Sequence, residues 1–325
     1  MKTLEQLLLK YNSYHQVKAR THHATFETLY SNKESFESDI DQIKRISQDL
    51  LDYQKPLVTI IIPCYNEELE LIPTILTFLY SIADAEIPVE LIAVDNNSSD
   101  RTNELLESMG IKTVPCESPG LRFARSAGLD AAHNNSEYVW LVDADTRTLP
   151  PSRKNVLPVC RNPLKVSFEY MQANQNCVAI STGIVFEYQI PLRRIIRSLR
   201  IMILGGNSFS CWTGPNQFIR KEHLLAIGGI DIEVDGGEDH HRIFQLRRYA
   251  KQTKNLFLAG ADRNPELLAL VYTSDRRNSS LRQIYRNVKQ QLSMPEYPKD
   301  EYGLPIHPKG TRHKDLYRRE RGEGK

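Results

Sequence analysis

The stretch YVWLVDADTRTLP, residues 138 to 150, decides how the rest of the chain is read. Tyr138 to Val142 are aromatic, β-branched or leucine, a composition suited to a strand buried on both faces. The strand runs straight into Asp143-Ala144-Asp145. If extended geometry continues, residues i and i+2 face the same way and the two carboxylates converge. Two like charges about 4 Å apart repel by roughly 4 kcal/mol at an effective dielectric near 20. A divalent cation held by Asp143 and Asp145 removes that cost, and Mg²⁺ or Mn²⁺ commonly takes its other ligands from substrate phosphates. The same letters also fit a turn in which Asp145 caps and Asp143 is solvated.

Upstream, LVTIIIP (57–63), VELIAVDNN (89–97) and IKTVP (111–115) read as further strands. Helical stretches separate them: one through Leu79, one from about Asp100 to Met109, and one from Pro119 to His133. Strands alternating with helices imply right-handed βαβ units and a parallel sheet covered on both faces. Each strand ends in a polar or turn-forming cluster: PCYNEE, DNNSSD, PCESPG and DADTRT. Ligands bind outside the carboxyl ends of such strands, so four clusters at one edge describe one composite site.

The second half is less regular. CVAISTGIVFEY (177–188) reads as a strand, long or bent. PLRRIIRSLRIMIL (191–204) reads as a basic amphipathic helix, with Leu192, Ile195, Ile196, Leu199 and Ile203 on one face. It can rest on an anionic membrane surface or cover an acceptor site as an ordinary packed helix. Trp212 is either an acceptor-stacking ring or a core residue. GGEDHHRIFQLRR opens a helix, and LLALVYTSDRR precedes another beginning around Ser280.

Residues 1 to about 54 read as helical, with Leu4, Leu7, Leu8 and Tyr11 on one face and Ile40, Ile43 and Leu50 at helical spacing. The expected organisation is a helical N-terminal extension (1–55), a main domain (56–290) and a basic C-terminal tail (291–325). The main domain divides into two halves, 56–150 and 151–290, the first carrying the four polar strand ends.

A chain of 325 residues with a formal net charge of +2 has no global drive toward nucleic acid. Lys309, Arg312, Lys314, Arg318, Arg319 and Arg321 make the tail locally basic, a solvated run or a polyanion or membrane contact. The five cysteines are scattered without a C-x-x-C pair, which suits a reducing compartment and offers no zinc site. No signal-peptide pattern and no membrane-spanning window is evident. The expected location is cytoplasmic, with peripheral contact at the inner membrane through 191–204 as an option.

VTIIIPCYNEE, LIAVDNNSSDRT, GLRFARSAGLDAA and VWLVDADT together resemble the family 2 glycosyltransferases of the GT-A fold, in that order and at that family's spacing. The likeness continues through TGPNQFIRKEHLLAIGGID to GGEDHHRIFQLRR and covers roughly residues 57 to 287. It implies an α/β, Rossmann-like, mixed but mainly parallel sheet, and a nucleoside diphosphate sugar (UDP-, GDP- or dTDP-linked) as donor. By that resemblance Pro63, Tyr65 and Glu67 line the base and ribose pocket, and Asp95 and Asn96 match the base-reading motif. Asn96 departs from the commoner acidic residue, which leaves the base open; Tyr65 can equally be a packed aromatic. Arg122 and Arg125 hold the site or the diphosphate, with Ser126 departing from the usual A-R-N-x-G. Asp143, Ala144 and Asp145 form the metal and diphosphate motif, and Arg276 and Arg277 meet the diphosphate.

Glu238-Asp239 resembles the family's E-D pair, with Asp239 as catalytic base and Glu238 positioning the acceptor or Asp239; a polar loop capping a helix is the plainer reading. Adjacent His240 and His241 point about 100° apart on a helix and rarely share one metal ion. Gln283 and Arg286 partly match a Q-x-x-R-W motif of processive synthases, but Asn287 replaces the tryptophan. The implied activity is metal-dependent, inverting, non-processive sugar transfer to a hydroxyl of a glycan, lipid-linked or small-molecule acceptor. Retention of configuration is also compatible with the fold. A nucleotidyltransferase is the rival enzyme, although PCYNEE lacks its Gly-rich, basic turn; an inactive binding or scaffold protein is the third reading.

Overall fold

The computed structural model describes residues 2–20, 26, 30–148, 161–187, 216–234, 238–254, 256–261, 264–267 and 269–274. The helix expected at 191–204, Trp212, Arg276, Arg277, residues 283–287 and the basic tail lie outside the described residues.

The strands form where the β-branched runs stand. β1 (Val58–Cys64) is buried at every residue. It pairs in parallel with β2 (Val89–Asp95) and β4 (Tyr138–Leu141), and β2 pairs in parallel with β3 (Lys112–Pro115). Among the described residues one sheet has the order β3-β2-β1-β4-β8-β6-β9, where β6 is Cys177–Ser181, β8 Gln217–Arg220 and β9 Phe257–Gly260. The register places Cys64 opposite Asp95 and Asp95 opposite Pro115, so three polar clusters leave the sheet at one edge. β8 runs antiparallel to β4 with Gln217 opposite Leu141. Reversal of that single strand brings its beginning, rather than its end, to the same edge.

A smaller sheet joins β5 (Thr146–Arg147), β10 (Leu270–Ser274) and β7 (Gly183–Glu187). The run 177–188 is therefore two strands in two sheets. Thr182 is the break: its carbonyl and hydroxyl accept from Asn216 Nδ2, and Gly183 N donates to Ala269 O at 2.7 Å.

The N-terminal helices α1 (Lys2–Arg20) and α2 (Lys33–Leu51) lie against α3 (Leu71–Ala85). Leu4, Leu7, Leu8, Tyr11, Ile40 and Ile43 are buried in the core that also holds Val58, Ile60 and Trp140, whereas Leu50 is only partly covered. Asn32 caps α2 by accepting from Ser35 N at 3.1 Å, and Tyr11 Oη donates to Asp39 at 3.0 Å across the two helices. Among the described residues no helix is long and apolar enough to cross a membrane.

On the sheet's other face lies α5 (Leu121–Asp130), following α4 (Thr102–Ser108) and β3 in the chain. Its approach is close because Gly128 has no Cβ: a methyl there would collide with Ile61 Cγ2 and stand 3.0 Å from Val94 Cγ2. Gly128→Ala is expected to cost about 1–3 kcal/mol through overpacking. A urea titration checks this; a midpoint at or above wild type would show that the helix can retreat freely. The remaining helices are α6 (Pro163–Ala173), α7 (Lys221–Ala226) and α8 (Glu238–Gln252).

Candidate active site

The first wall of the site is built where β1 and β2 end. Ile61 O accepts from Val142 N and Cys64 O from Asn96 N, so alternation turns Pro63 toward β4. The β1–β4 ladder has ended by then, at Ile61 opposite Leu141, and proline's missing N–H costs no ladder bond. The following loop is laced to the loop after β2. Asn66 N donates to Ser98 Oγ (3.1 Å), Ser99 N to Asn66 Oδ1 (2.8 Å), Glu67 N to Thr102 Oγ1 (2.8 Å) and Arg101 N to Glu68 Oε2 (3.2 Å). Asn66 and Asn97 take left-handed φ of 54° and 62°, which asparagine tolerates better than most residues. Tyr65 stands 60 % exposed above this loop, so it is not a core aromatic. The buried Cys64 thiol is pushed well up by burial, then by Glu67, Asp95 and Asp100, which shows how acidic this rim is.

Asn96, the second residue of the base-reading match, is engaged by the protein itself. Its Nδ2 donates to Cys116 O (3.1 Å) and Ser118 O (2.7 Å), while Oδ1 accepts from Gly120 N (2.8 Å). Both amide protons are used to hold the loop after β3. Asp95 beside it is half-buried and accepts from Ser98 N at 3.4 Å. Arg122, one turn before Arg125 on α5, is partly exposed with its guanidinium 4.5 Å from the Phe123 ring centre.

Asp143 and Asp145 do not continue the strand. β4 ends at Leu141, Thr146 N donates to Asp143 O at 2.9 Å, and Asp143-Ala144-Asp145 forms a turn into β5. The alternation argument for convergence therefore fails. The turn is anchored from below: Arg147 Nη2 meets Glu70 Oε2 at 2.8 Å with both side chains 2 % exposed, and Thr273 Oγ1 donates to Asp145 Oδ1 at 3.1 Å. Glu70 immediately precedes α3, so this buried pair ties the Tyr65–Glu67 loop to the Asp143 turn. Two carboxylates on a braced turn suit a hard divalent cation that completes its shell with diphosphate oxygens. Among the described residues no group of three His, Cys, Asp or Glu side chains makes a metal cage.

Arg125 joins this wall to the other. Fully buried on α5, it donates from Nη2 to Asp143 Oδ1 (2.7 Å) and from Nη1 to Glu238 Oε1 (2.5 Å). Burial pulls its pKa down, but Asp143, Glu238 and Asp239 more than offset that, and the net shift is upward. Residues 18 and 113 positions away in sequence thus share one guanidinium.

α8 begins at Glu238, and its N-terminal dipole favours the two acids of its first turn. Asp239 Oδ1 accepts from His240 N (2.9 Å) and lies 3.1 Å from His240 Nδ1, and Asp239 O accepts from Gln217 Nε2 (3.2 Å). Burial raises the Asp239 pKa, yet the His240 hydrogen bond and charge, with Arg125 and Arg242, drive it far below the usual carboxylate range. His240 moves the opposite way: burial lowers it, and Asp239 with Glu238 raises it above the ordinary imidazole value. His241 points elsewhere, to Asp231 Oδ2 at 3.2 Å, as the 100° helical step requires. Arg242, one turn along, donates from Nε to Gln217 Oε1 at 2.8 Å. Burial, followed by repulsion from Arg125, brings its pKa down to about 10, so it is charged at neutral pH.

The Asp239–His240 pair has a pH signature. The raised His240 value means its contribution is full below about pH 6.5 and is lost as pH rises through the folded value. The depressed Asp239 value means its contribution is present above about pH 3.9 and is lost as pH falls through the folded value. The stability difference between wild type and His240→Gln is therefore expected to shrink from pH 6 to alkaline pH. Its size is below about 1 kcal/mol because His240 is partly exposed. Melting curves across that range test this, and a difference that grows with pH would reverse the assignment.

Asp143, Glu238 and Asp239, each read from the sequence, are thus brought together by Arg125. Glu70, Arg147, Gln217, His240 as Asp239's partner and Arg242 were not singled out as site residues. The helical spacing of Arg242 from Glu238 and Asp239, at i+4 and i+3, was the available signal.

Residues 59–224 match the family model described as Glycosyl transferase family 2. No curated protein matches the chain. Among solved structures, a mannosyltransferase from Pyrobaculum calidifontis in complex with GDP-Man and Mn²⁺ is similar at 18 % identity and TM-score 0.49, covering 89 % of this chain and 73 % of that one. Glucosyl-3-phosphoglycerate synthase from Mycobacterium tuberculosis, in complex with Mn²⁺, UDP and glucosyl-3-phosphoglycerate, is similar at 15 % identity and TM-score 0.46, covering 78 % and 82 %.

Proposed function

The chain belongs to glycosyl transferase family 2, and from that premise we propose metal-dependent transfer of a sugar from a nucleoside diphosphate sugar to an acceptor hydroxyl, with inversion and without processivity. The observation that carries this reading is the Asp143–Arg125–Glu238 bridge, which sets the D-A-D turn beside the E-D helix start. Donor and acceptor chemistry then meet at one sheet edge.

On this reading the exposed ring of Tyr65 lies against the base, Glu67 accepts a ribose hydroxyl, and Asp95 faces the base edge while Asn96 holds the adjoining loop. Arg122 and Arg125 offer positive charge to the diphosphate side; the resemblance adds Arg276 and Arg277, which lie outside the described residues. Asp143 and Asp145 would hold Mn²⁺ or Mg²⁺, which when bound offsets the charge of the departing nucleoside diphosphate. Asp239 takes the proton of the acceptor hydroxyl as that oxygen attacks the anomeric carbon. Glu238, fixed by Arg125, keeps the start of α8 in place. Asn287 in place of the processive motif's tryptophan supports addition of one or few sugars.

A thermal-shift panel of UDP-, GDP- and dTDP-sugars, with and without Mn²⁺ or Mg²⁺, tests the proposal. A donor at about 100 times its dissociation constant adds roughly 2.7 kcal/mol, several degrees at most for a chain of this size. Metal-dependent stabilisation by one base is the expected result. If no donor shifts the transition under any metal, the scaffold reading replaces this one.

A further inference from the structure

The cluster around Asp239 sets three carboxylates, Asp143, Glu238 and Asp239, against three cations, Arg125, His240 and Arg242, and Arg242 differs in its hydrogen bonds. Arg125 serves Asp143 and Glu238, and His240 serves Asp239. Arg242 is 1 % exposed and donates from Nε to the neutral amide of Gln217, yet its Nη1 and Nη2 are buried with no hydrogen-bond partner among the described residues. A buried guanidinium whose two-pronged face, Nη1 and Nη2, lacks acceptors carries an unrecovered desolvation cost. That face matches a pair of anionic oxygens, as in a phosphoryl or carboxylate group.

Its position in the fold says which substrate brings those oxygens. The loops assigned to the donor follow β2, β1 and β4, whereas Arg242 is bonded to Gln217 on β8, the next strand across, and shares the first turns of α8 with Asp239. We propose that Arg242 binds an anionic group, phosphoryl or carboxylate, carried by the acceptor whose hydroxyl Asp239 deprotonates. This rests on the reading of Asp239 as the acceptor-side base. A neutral polyol in the same place offers Nη1 and Nη2 no charged acceptor, so Arg242 sets acceptor class as well as affinity.

Two sets of measurements on the full chain test the assignment. Without donor, inorganic phosphate should raise the melting temperature of wild type and leave that of Arg242→Met unchanged. With the donor found by the nucleotide-sugar panel, mannose, mannose 6-phosphate and mannuronate serve as matched neutral, phosphoryl and carboxylate acceptors. The preferred anion should exceed mannose in kcat/KM by roughly 10- to 100-fold, the range expected for hydrogen bonds to a charged group. Arg242→Met should abolish that preference while the donor-induced thermal shift persists, and Arg242→Lys should retain part of it. Equal phosphate shifts in wild type and Arg242→Met, or an anion preference that survives Arg242→Met, would overturn the proposal. If the Met variant does not fold, Arg242→Lys decides, and an undiminished preference there overturns it equally. Absence of any donor shift would sink the transferase reading, while the phosphate measurements would still report on Arg242.

Discussion

Asp239→Asn is expected to lower sugar transfer by about 10²- to 10⁴-fold, the usual contribution of a positioned general base, with donor binding largely intact. Asparagine keeps the shape of the side chain and its oxygen toward His240 but cannot accept a proton from the acceptor. Although burial works against ionisation, His240, Arg125 and Arg242 keep the wild-type carboxylate charged far into acid. Turnover should therefore show no acid limb from Asp239 above about pH 4. Single-turnover rates at saturating donor separate the chemical step from binding, and the donor-induced thermal shift reports binding directly. Full turnover in the asparagine variant would remove Asp239 from the mechanism.

Arg125→Met is expected to lose about 3–5 kcal/mol of folding stability, the cost of breaking a buried ion pair from one side. Methionine replaces the stem and fills much of the volume, so the loss isolates the charge. Asp143 and Glu238 are then left facing each other without the cation that both use, Glu238 being only 9 % exposed at its side chain. Against a total stability of about 5–15 kcal/mol for a typical domain, this is decisive. Denaturant midpoints with an unchanged slope would measure it. Arg125→Lys should recover only part, because an ammonium lacks the planar fork that reaches both carboxylates. A Met variant within about 1 kcal/mol of wild type would show that the bridge contributes little.

Both variants bear on residues that carried visible signals, but the signals differed in kind. β-branched runs at Val58, Val89 and Tyr138 announced parallel strands because burial on both faces admits little else. The polar clusters at their ends then implied a shared edge, since parallel strands must all finish on the same side. The Asp143–Asp145 convergence was argued from strand alternation, and there the local argument failed. β4 stops at Leu141, and whether a strand continues depends on its neighbour: β1 has no further rung to offer β4. The run 177–188 was read as long or bent, but the position of the break at Thr182 was not legible, because it depends on Asn216 and Ala269, far along the chain.

The sequence by itself determined the parallel βαβ half and the helical faces of the N-terminal segment, since each follows from periodicity within a short window; Glu238 and Asp239 were marked by the family resemblance, and Asp143 and Asp145 by that resemblance together with their place after a strand. Only the tertiary structure decided how those acids are compensated. Arg125 finds Asp143 and Glu238, Arg147 finds Glu70, Asn96 spends its amide on a loop, and Arg242 keeps two buried Nη groups without acceptors among the described residues. The reason is physical: a short window shows which residues are charged, but the free energy of a buried charge depends on the groups that long-range packing brings within hydrogen-bonding distance.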